Sequence, residues 1–404
     1  MARSRSTDPA LDFESLLAAK EIVVFCGSGG VGKTSVAAAA ALGAVCELGG
    51  KVLVLTIDPA RRLATALGLD QLGNLEHRVP DAALRAAGLE PRGELWAAML
   101  DTKQSWDDLV LRHAPDEATA YKILDNRLYH SLTSRFVQSH DYIAMERLYE
   151  IHAGGGYDLI IIDTPPTRNA IDFLDAPSRM ADFFGGRLLR WLTLPYRVGG
   201  KRGSRVINVA SRPFYQVADR ILGSQFLEDI AEFFLNFQSM YGGFVERARA
   251  VERLLHDYVT TFSVVTTLEA APLHEAEQFC AELQRREFHL GALVLNKTLP
   301  DYYLAADAMS AAHSFRDEAE QLAEELRRPK AEVAALGEPA RTARVLQTVS
   351  ESFRNFAVVA KREAELRAEL ARVPDVVVRV PNLESDVGDV GGLAAIARHL
   401  YATP

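Results

Sequence analysis

Gly27-Ser28-Gly29-Gly30-Val31-Gly32-Lys33-Thr34, continued by Ser35, fits without a mismatch the phosphate-binding loop pattern of Gly, four residues, then Gly-Lys-Thr. What stands on either side gives the stretch its meaning. Before it, Glu21-Ile-Val-Val-Phe-Cys26 reads as a short apolar strand; after it, Thr34-Ser-Val-Ala-Ala-Ala-Ala-Ala-Leu42 is a strong helix former. A glycine-rich turn between a strand and a helix aims backbone N–H groups and the positive end of the helix dipole at an anion. In such a loop Lys33 reaches the β- and γ-phosphates of a nucleotide, and the Thr34 hydroxyl takes a position on Mg²⁺. Gly27, Ser28, Gly29, Gly30, Val31, Gly32, Lys33, Thr34 and Ser35 are therefore the candidate nucleotide-binding residues, with Lys33 also a candidate for catalysis.

Working outward, β-branched runs recur at 51–57, 94–100, 157–162, 261–266, 290–295 and 375–380, separated by helical patterns. Such alternation predicts an α/β fold, a mostly parallel twisted sheet flanked by helices. Two long segments, 176–258 and 298–372, carry helical patterns with few strand signals and read as helical insertions. The expected organisation is an N-terminal extension (1–20), a nucleotide-binding core (21–175), a helical insertion (176–258), the core continued (259–297), a helical arm (298–372) and a C-terminal strand and helix of the core (373–404).

Composition narrows the function classes. The chain has 404 residues, 48% apolar and 25% charged, as expected of a globular protein, and its net charge of −9 argues against nucleic acid as the principal partner. The first twenty residues hold Arg3 and Arg5 but no apolar leader core, and no stretch offers the 18 or so uninterrupted apolar residues of a membrane span. Three cysteines, Cys26, Cys46 and Cys280, are too few and too scattered for a disulfide framework. A cytoplasmic location is expected.

Hydrolysis needs carboxylates at the ends of strands beside the loop. Asp163 follows the apolar run 157–162 and opens Asp163-Thr164-Pro165-Pro166, the pattern of an aspartate that holds Mg²⁺ and leads into a switch. Asp58 follows 51–57 and opens Asp58-Pro59-Ala60-Arg61-Arg62, where a carboxylate can orient or deprotonate the attacking water. Aspartate before a helix is also a good N-cap, so both readings stay open for each.

Together, the glycine-rich loop, Asp58-Pro59-Ala60 and Asp163-Thr164-Pro165-Pro166-Thr167-Arg168 resemble the ArsA-like ATPases, which include the arsenite-pump ATPase and the ATPase that delivers tail-anchored membrane proteins. Within these, the chain looks most similar to the actinobacterial anion-transporting branch. The resemblance covers about 21–300 and 373–400. It implies a sheet of the signal-recognition and MinD-like class, ATP and Mg²⁺ as ligands, Asp58 in the first switch and Asp163 at the start of the second. It further implies an adenine contact from Asn296 and a loop at Val380-Pro381-Asn382 that closes Pro381 over the base. A dimer that opens and closes with nucleotide, driving a membrane transporter for anions or handling hydrophobic membrane-protein cargo with peripheral membrane association, is also implied. Asn296-Lys297 is not the guanine reader, because residue 299 is Leu.

The departures are informative. Members of the family usually carry a second lysine where this chain has Ser28, and that lysine reaches across a dimer to the partner's nucleotide. Its charge would be restored by a heteromer with a paralogous subunit, or by Arg61 or Arg62; the alternative reading is an ATP-binding regulatory subunit with little intrinsic turnover that needs a paralogous partner. No Cys-x-x-Cys is present, and the metalloid-sensing cysteine triplet cannot be placed.

Within 176–258, Phe226, Ile230, Phe233, Phe237, Met240 and Phe244 recur at helical spacing, widened by Leu227, Phe234 and Tyr241. The stripe reads either as packing against the sheet or as a groove for a hydrophobic segment. Arg187 to Arg212 form a basic, glycine-containing stretch without an acid, either a solvated loop or a contact for anionic lipid or an acidic partner.

Overall fold

The computed structural model describes residues 12–57, 62–69, 72–135, 137–165, 175, 176, 178, 179, 182, 224–327, 338–370, 374–383 and 386–402. Among the described residues eight strands form one sheet: β1 Ile22–Cys26, β2 Gly50–Thr56, β3 His77–Arg78, β4 Gly93–Met99, β5 Leu159–Asp163, β6 Thr260–Thr266, β7 Leu290–Thr298 and β8 Val376–Pro381. Their order is β3-β4-β2-β5-β1-β6-β7-β8, and every pairing is parallel except β3 with β4. The mostly parallel sheet expected from the alternating pattern is thus present. Every residue of β1, β5 and β6 is buried, which is what a parallel sheet covered on both faces demands.

The strand order positions the site. From β1 the chain passes outward to β2 on one side of the sheet, while β6, β7 and β8 lie on the other, so the carboxyl end of β1 is a topological switch point where ligands settle in open α/β sheets. Register sharpens this. Phe25 lies opposite Asp163 on β5, and Asp163 in turn lies opposite Thr56 on β2, so the ends of these three strands are level beneath one crevice.

One face of the sheet is covered by the helix that follows the loop, Lys33–Glu47, with the C-terminal helix Val390–Leu400 alongside it. Val36 to Leu42 are completely buried, and their small side chains let the two helices approach closely. At Gly43 a Cβ would stand 2.2 Å from the Tyr401 ring, and a larger residue there carries an overpacking cost of about 1–3 kcal/mol. The Tyr401 hydroxyl donates to the Ala40 carbonyl at 2.7 Å. The chain terminus is thereby pinned to the loop helix.

The opposite face is covered by helices that include Thr102–His113, Val137–Ala153, Ser224–His256 and Ala270–Arg285. The aromatic stripe finds its partner here. Phe233, Phe237, Met240 and Phe244 are 1–2% exposed, and the Phe244 ring packs at 5.9 Å from Trp106 and 5.6 Å from Tyr142. For these residues the groove reading is corrected: the face is filled by the protein's own core. The side chains of Phe226, Leu227, Ile230 and Tyr241 lie outside the described residues, as does the basic stretch 187–212. In the same layer Glu146, 1% exposed, pairs with Arg247 and accepts from the Tyr142 hydroxyl at 2.7 Å. Burial raises its pKa and the Arg247 guanidinium opposes that. His113 and Glu150 stand beside it, but Arg112 and Arg147 engage Glu150, so the grouping is an ion-pair network.

Three further differences from the sequence reading have local causes. Residues Phe13–Ala18 form a helix capped by Asp12, whose Oδ1 accepts from the Ser15 N–H at 2.8 Å, and Phe13, Leu16 and Leu17 are buried. Part of the expected extension is core. Strand β3 was not expected because two exposed residues carry no periodicity. β7 runs to Thr298 and β8 to Pro381, so Asn296 and Pro381 lie within strands rather than beyond them; a proline is tolerated in β8 because it is the sheet edge. Over 298–372 the described residues form helices Ala306–Asp317, Ala319–Leu326 and Pro339–Leu370 after a short turn. Among the described residues no helix is long and apolar enough to cross a membrane.

Candidate nucleotide site

The loop between β1 and its helix is shaped by glycines at two positions where no other residue fits. Gly27 has φ +149°, and a Cβ there would stand 2.1 Å from the Val265 carbonyl oxygen on β6. Gly32 has φ +92° at the N-cap of the loop helix, and a Cβ would stand 2.4 Å from Asn296 Nδ2. The space they leave is taken by hydrogen bonds that hold the loop. Asn296 Nδ2 donates to the Val31 carbonyl at 2.8 Å, and Val31 is itself 1% exposed. Lys297, held in the left-handed region at φ 56°, donates from Nζ to the Gly30 carbonyl at 3.2 Å. Lys33, 6% exposed, donates from Nζ to the Ser28 carbonyl at 2.9 Å.

At the end of β5, Asp163 is fully buried. Its Oδ2 accepts from the Thr34 hydroxyl at 2.7 Å and from the Thr56 hydroxyl at 2.8 Å. Next to it the Thr164 hydroxyl donates to the Phe25 carbonyl at 2.8 Å, tying the start of the following segment to β1. A carboxylate and a hydroxyl in contact form a hard-oxygen donor set, the kind that suits Mg²⁺, which keeps most of its waters and takes few protein ligands. Thr34 and Asp163 are the residues that could hold that ion beside a bound polyphosphate.

These groups open into a cleft of about 730 Å³, within the range of small-ligand sites. Its walls include Gly30, Gly32, Lys33, Thr34, Ser35, Arg62 and Thr164, and also Asn296, Lys297, Pro381 and Val387. The sheet order separates these into two ends. Thr34, Thr164 and Arg62 belong to the side of β5 and β2, whereas Asn296 and Pro381 belong to β7 and β8.

A carboxyl-edge cleft with this loop and this buried aspartate is shared by many nucleotide enzymes, and the whole-chain comparison narrows the choice. The family model for anion-transporting ATPases (ArsA ATPase) matches residues 20–326. The chain belongs to the anion-transporting ATPase family. It is similar to ATPase BagA of Mycobacterium tuberculosis, at 22% identity over 420 residues covering 99% of this chain and 98% of that protein. Similarity to the ATPase ASNA1 homolog of Entamoeba dispar is 22% over 322 residues, covering 73% and 82% of the two chains. Against the provisionally named arsenical pump-driving ATPase 1 of Aquifex aeolicus it is 22% over 297 residues, covering 69% of this chain. The chain spans 64% of that relative's length.

In this family member Gly30, Gly32, Lys33, Thr34, Asn296 and Pro381 line one cleft, with Asp163 buried behind Thr34, while Asp58 lies outside the described residues. Asn296 commits its amide donor to the loop, a bracing role beside the adenine contact expected of it. Ser28 presents no charge: its hydroxyl is buried, has no hydrogen-bond partner among the described residues and does not line the cleft. All three cysteines are buried and free, and burial pushes the Cys26 and Cys280 thiols up to about 12. Sequence reading missed Thr56 and Lys297. Thr56 looks like any β-branched strand residue, and only the register of β2 against β5 shows that its hydroxyl meets Asp163.

Proposed function

We propose that this chain is an Mg²⁺-dependent ATPase whose nucleotide state drives work on a second protein. The observation that carries the reading is the bond from Thr34 to the buried Asp163, with Thr56 as a second donor to the same oxygen. The loop N–H groups and Lys33 would grip the β- and γ-phosphates, with Lys33 leaving the Ser28 carbonyl to do so. Mg²⁺, held by Thr34 and Asp163, would offset phosphate charge and orient the terminal phosphate for in-line attack. If the Thr34 hydroxyl turned to the metal it would give up its bond to Asp163, while the bond from Thr56 would stay. That change at the head of the segment beginning with Thr164 is how the nucleotide state would be transmitted. Asp58 would orient the attacking water, and Asn296 with Pro381 would hold adenine.

The work itself is assigned from the family and its relatives. One relative's name describes driving an arsenical pump, which supports the powering of an anion transporter; a dimer, cytoplasmic or peripherally membrane-associated, and the handling of hydrophobic membrane-protein cargo rest on the family resemblance. Ser28 supports a second reading, an ATP-binding regulatory subunit that needs a paralogous partner. Phosphate release in a single turnover separates the two. The ATPase reading expects the isolated chain to release one phosphate per bound ATP, dependent on Mg²⁺. ATP bound without release would favour the regulatory subunit, and absence of ATP binding would contradict both.

A further inference from the structure

Among the described residues three cations line the cleft: Lys33, Lys297 and Arg62. Lys33 and Lys297 rest on carbonyls of the loop itself. Arg62 is exposed and, among the described residues, makes no hydrogen bond or ion pair, although it stands on the same wall as Thr34 and Thr164. Its mounting is firm. The next residue, Leu63, is 1% exposed and Leu67 is fully buried in the core beneath the short helix Arg62–Ala66. The cleft wall therefore carries an uncommitted guanidinium on an anchored backbone at the end marked by Thr34 and Asp163, on the far side of β1 from Asn296 and Pro381. That is the terminal-phosphate end, because the residues suited to Mg²⁺ lie there.

We infer that Arg62 is a catalytic residue that contacts the γ-phosphate and stabilises its transition state from within the same chain. The inference rests on the ATPase reading above. In the reaction a water oxygen bonds to the γ-phosphorus while the bond from that phosphorus to the bridging oxygen of ADP breaks, the electron pair staying on ADP and the water's proton passing to Asp58 or to a phosphate oxygen. Arg62 transfers no proton and stays charged throughout. Its planar fork matches two phosphate oxygens, and negative charge on those oxygens in a partly enclosed cleft is where a positioned cation is worth most. Among the described residues that line this end no other side chain supplies that charge: Ser28 is neutral and buried, and Lys33 serves the β- and γ-phosphates from the loop.

The test uses the full chain and its Arg62→Ala and Arg62→Gln variants, with Mg-ATP affinity measured by calorimetry and phosphate release measured in a single turnover. ATP affinity should stay within about threefold of wild type while release slows by about 10²-fold or more. Guanidinium ion at millimolar concentration should restore part of the rate to Arg62→Ala, which a merely structural residue would not show. Wild type should bind ADP with aluminium fluoride more tightly than ADP alone, and both variants should lose that preference. Release at the wild-type rate in the variants would overturn the inference, as would a loss that follows ATP affinity and is not rescued. Wild-type chain that binds ATP but releases phosphate only with another subunit present would also overturn it, placing the charge in trans. Wild-type chain that binds no ATP would instead overturn the ATPase reading itself.

Discussion

Lys33→Ala is expected to lose Mg-ATP binding by about 10² to 10³-fold while the fold survives. The Lys33 ammonium is buried at the base of the loop and donates to the Ser28 carbonyl. Removing it leaves the incoming phosphates without their main protein cation. Breaking one side of a buried charge pair costs about 3–5 kcal/mol, and each 1.4 kcal/mol is tenfold in affinity. The surrounding helix does not depend on it: its anchors are the buried run Val36 to Leu42 and the docked C-terminal helix. Calorimetric titration with Mg-ATP, beside circular dichroism to verify the fold, checks this. Unchanged affinity would remove the loop from the account.

Asp58→Asn is expected to leave ATP binding in place and to lower turnover by about 10²-fold or more, since a group that orients or deprotonates water acts on the transition state and not on the bound ground state. The substitution keeps size and most hydrogen bonding. Thus the two variants should separate cleanly, Lys33→Ala failing in affinity and Asp58→Asn in rate. Near wild-type turnover in Asp58→Asn would reduce that residue to a helix cap.

The nucleotide loop was legible in the sequence because its chemistry is local. Gly27 and Gly32 answer to backbone torsions and to a Cβ that has nowhere to go, so spacing alone betrays them. Strands β1 and β5 were legible for the same kind of reason, as unbroken apolar runs buried on both faces. What escaped depends on partners distant in the chain. The Thr56 hydroxyl acquires its meaning from Asp163, 107 positions away. Lys297 acquires its own from the Gly30 carbonyl, 267 positions away. The stripe through Phe233, Phe237, Met240 and Phe244 was legible as a buried face, but periodicity reports that a face is covered and not what covers it. Here Trp106 and Tyr142 do, and the room for a hydrophobic ligand on those residues disappears. The helix Phe13–Ala18 is too short for periodicity to reveal, and it is held by a cap and three buried side chains.

The central claim is that Mg²⁺ and a nucleoside triphosphate sit between the Gly27–Thr34 loop and Asp163 with adenine toward β7 and β8. A crystal structure of the full chain with Mg²⁺ and a non-hydrolysable ATP analogue tests it most directly. The account predicts the β- and γ-phosphates wrapped by the loop with Lys33 upon them, the metal on the Thr34 hydroxyl with Asp163 directly behind it, and the base against Asn296 and Pro381. A loop that keeps the Thr34–Asp163 hydrogen bond while nucleotide binds elsewhere, or a triphosphate whose metal touches neither residue, would contradict it.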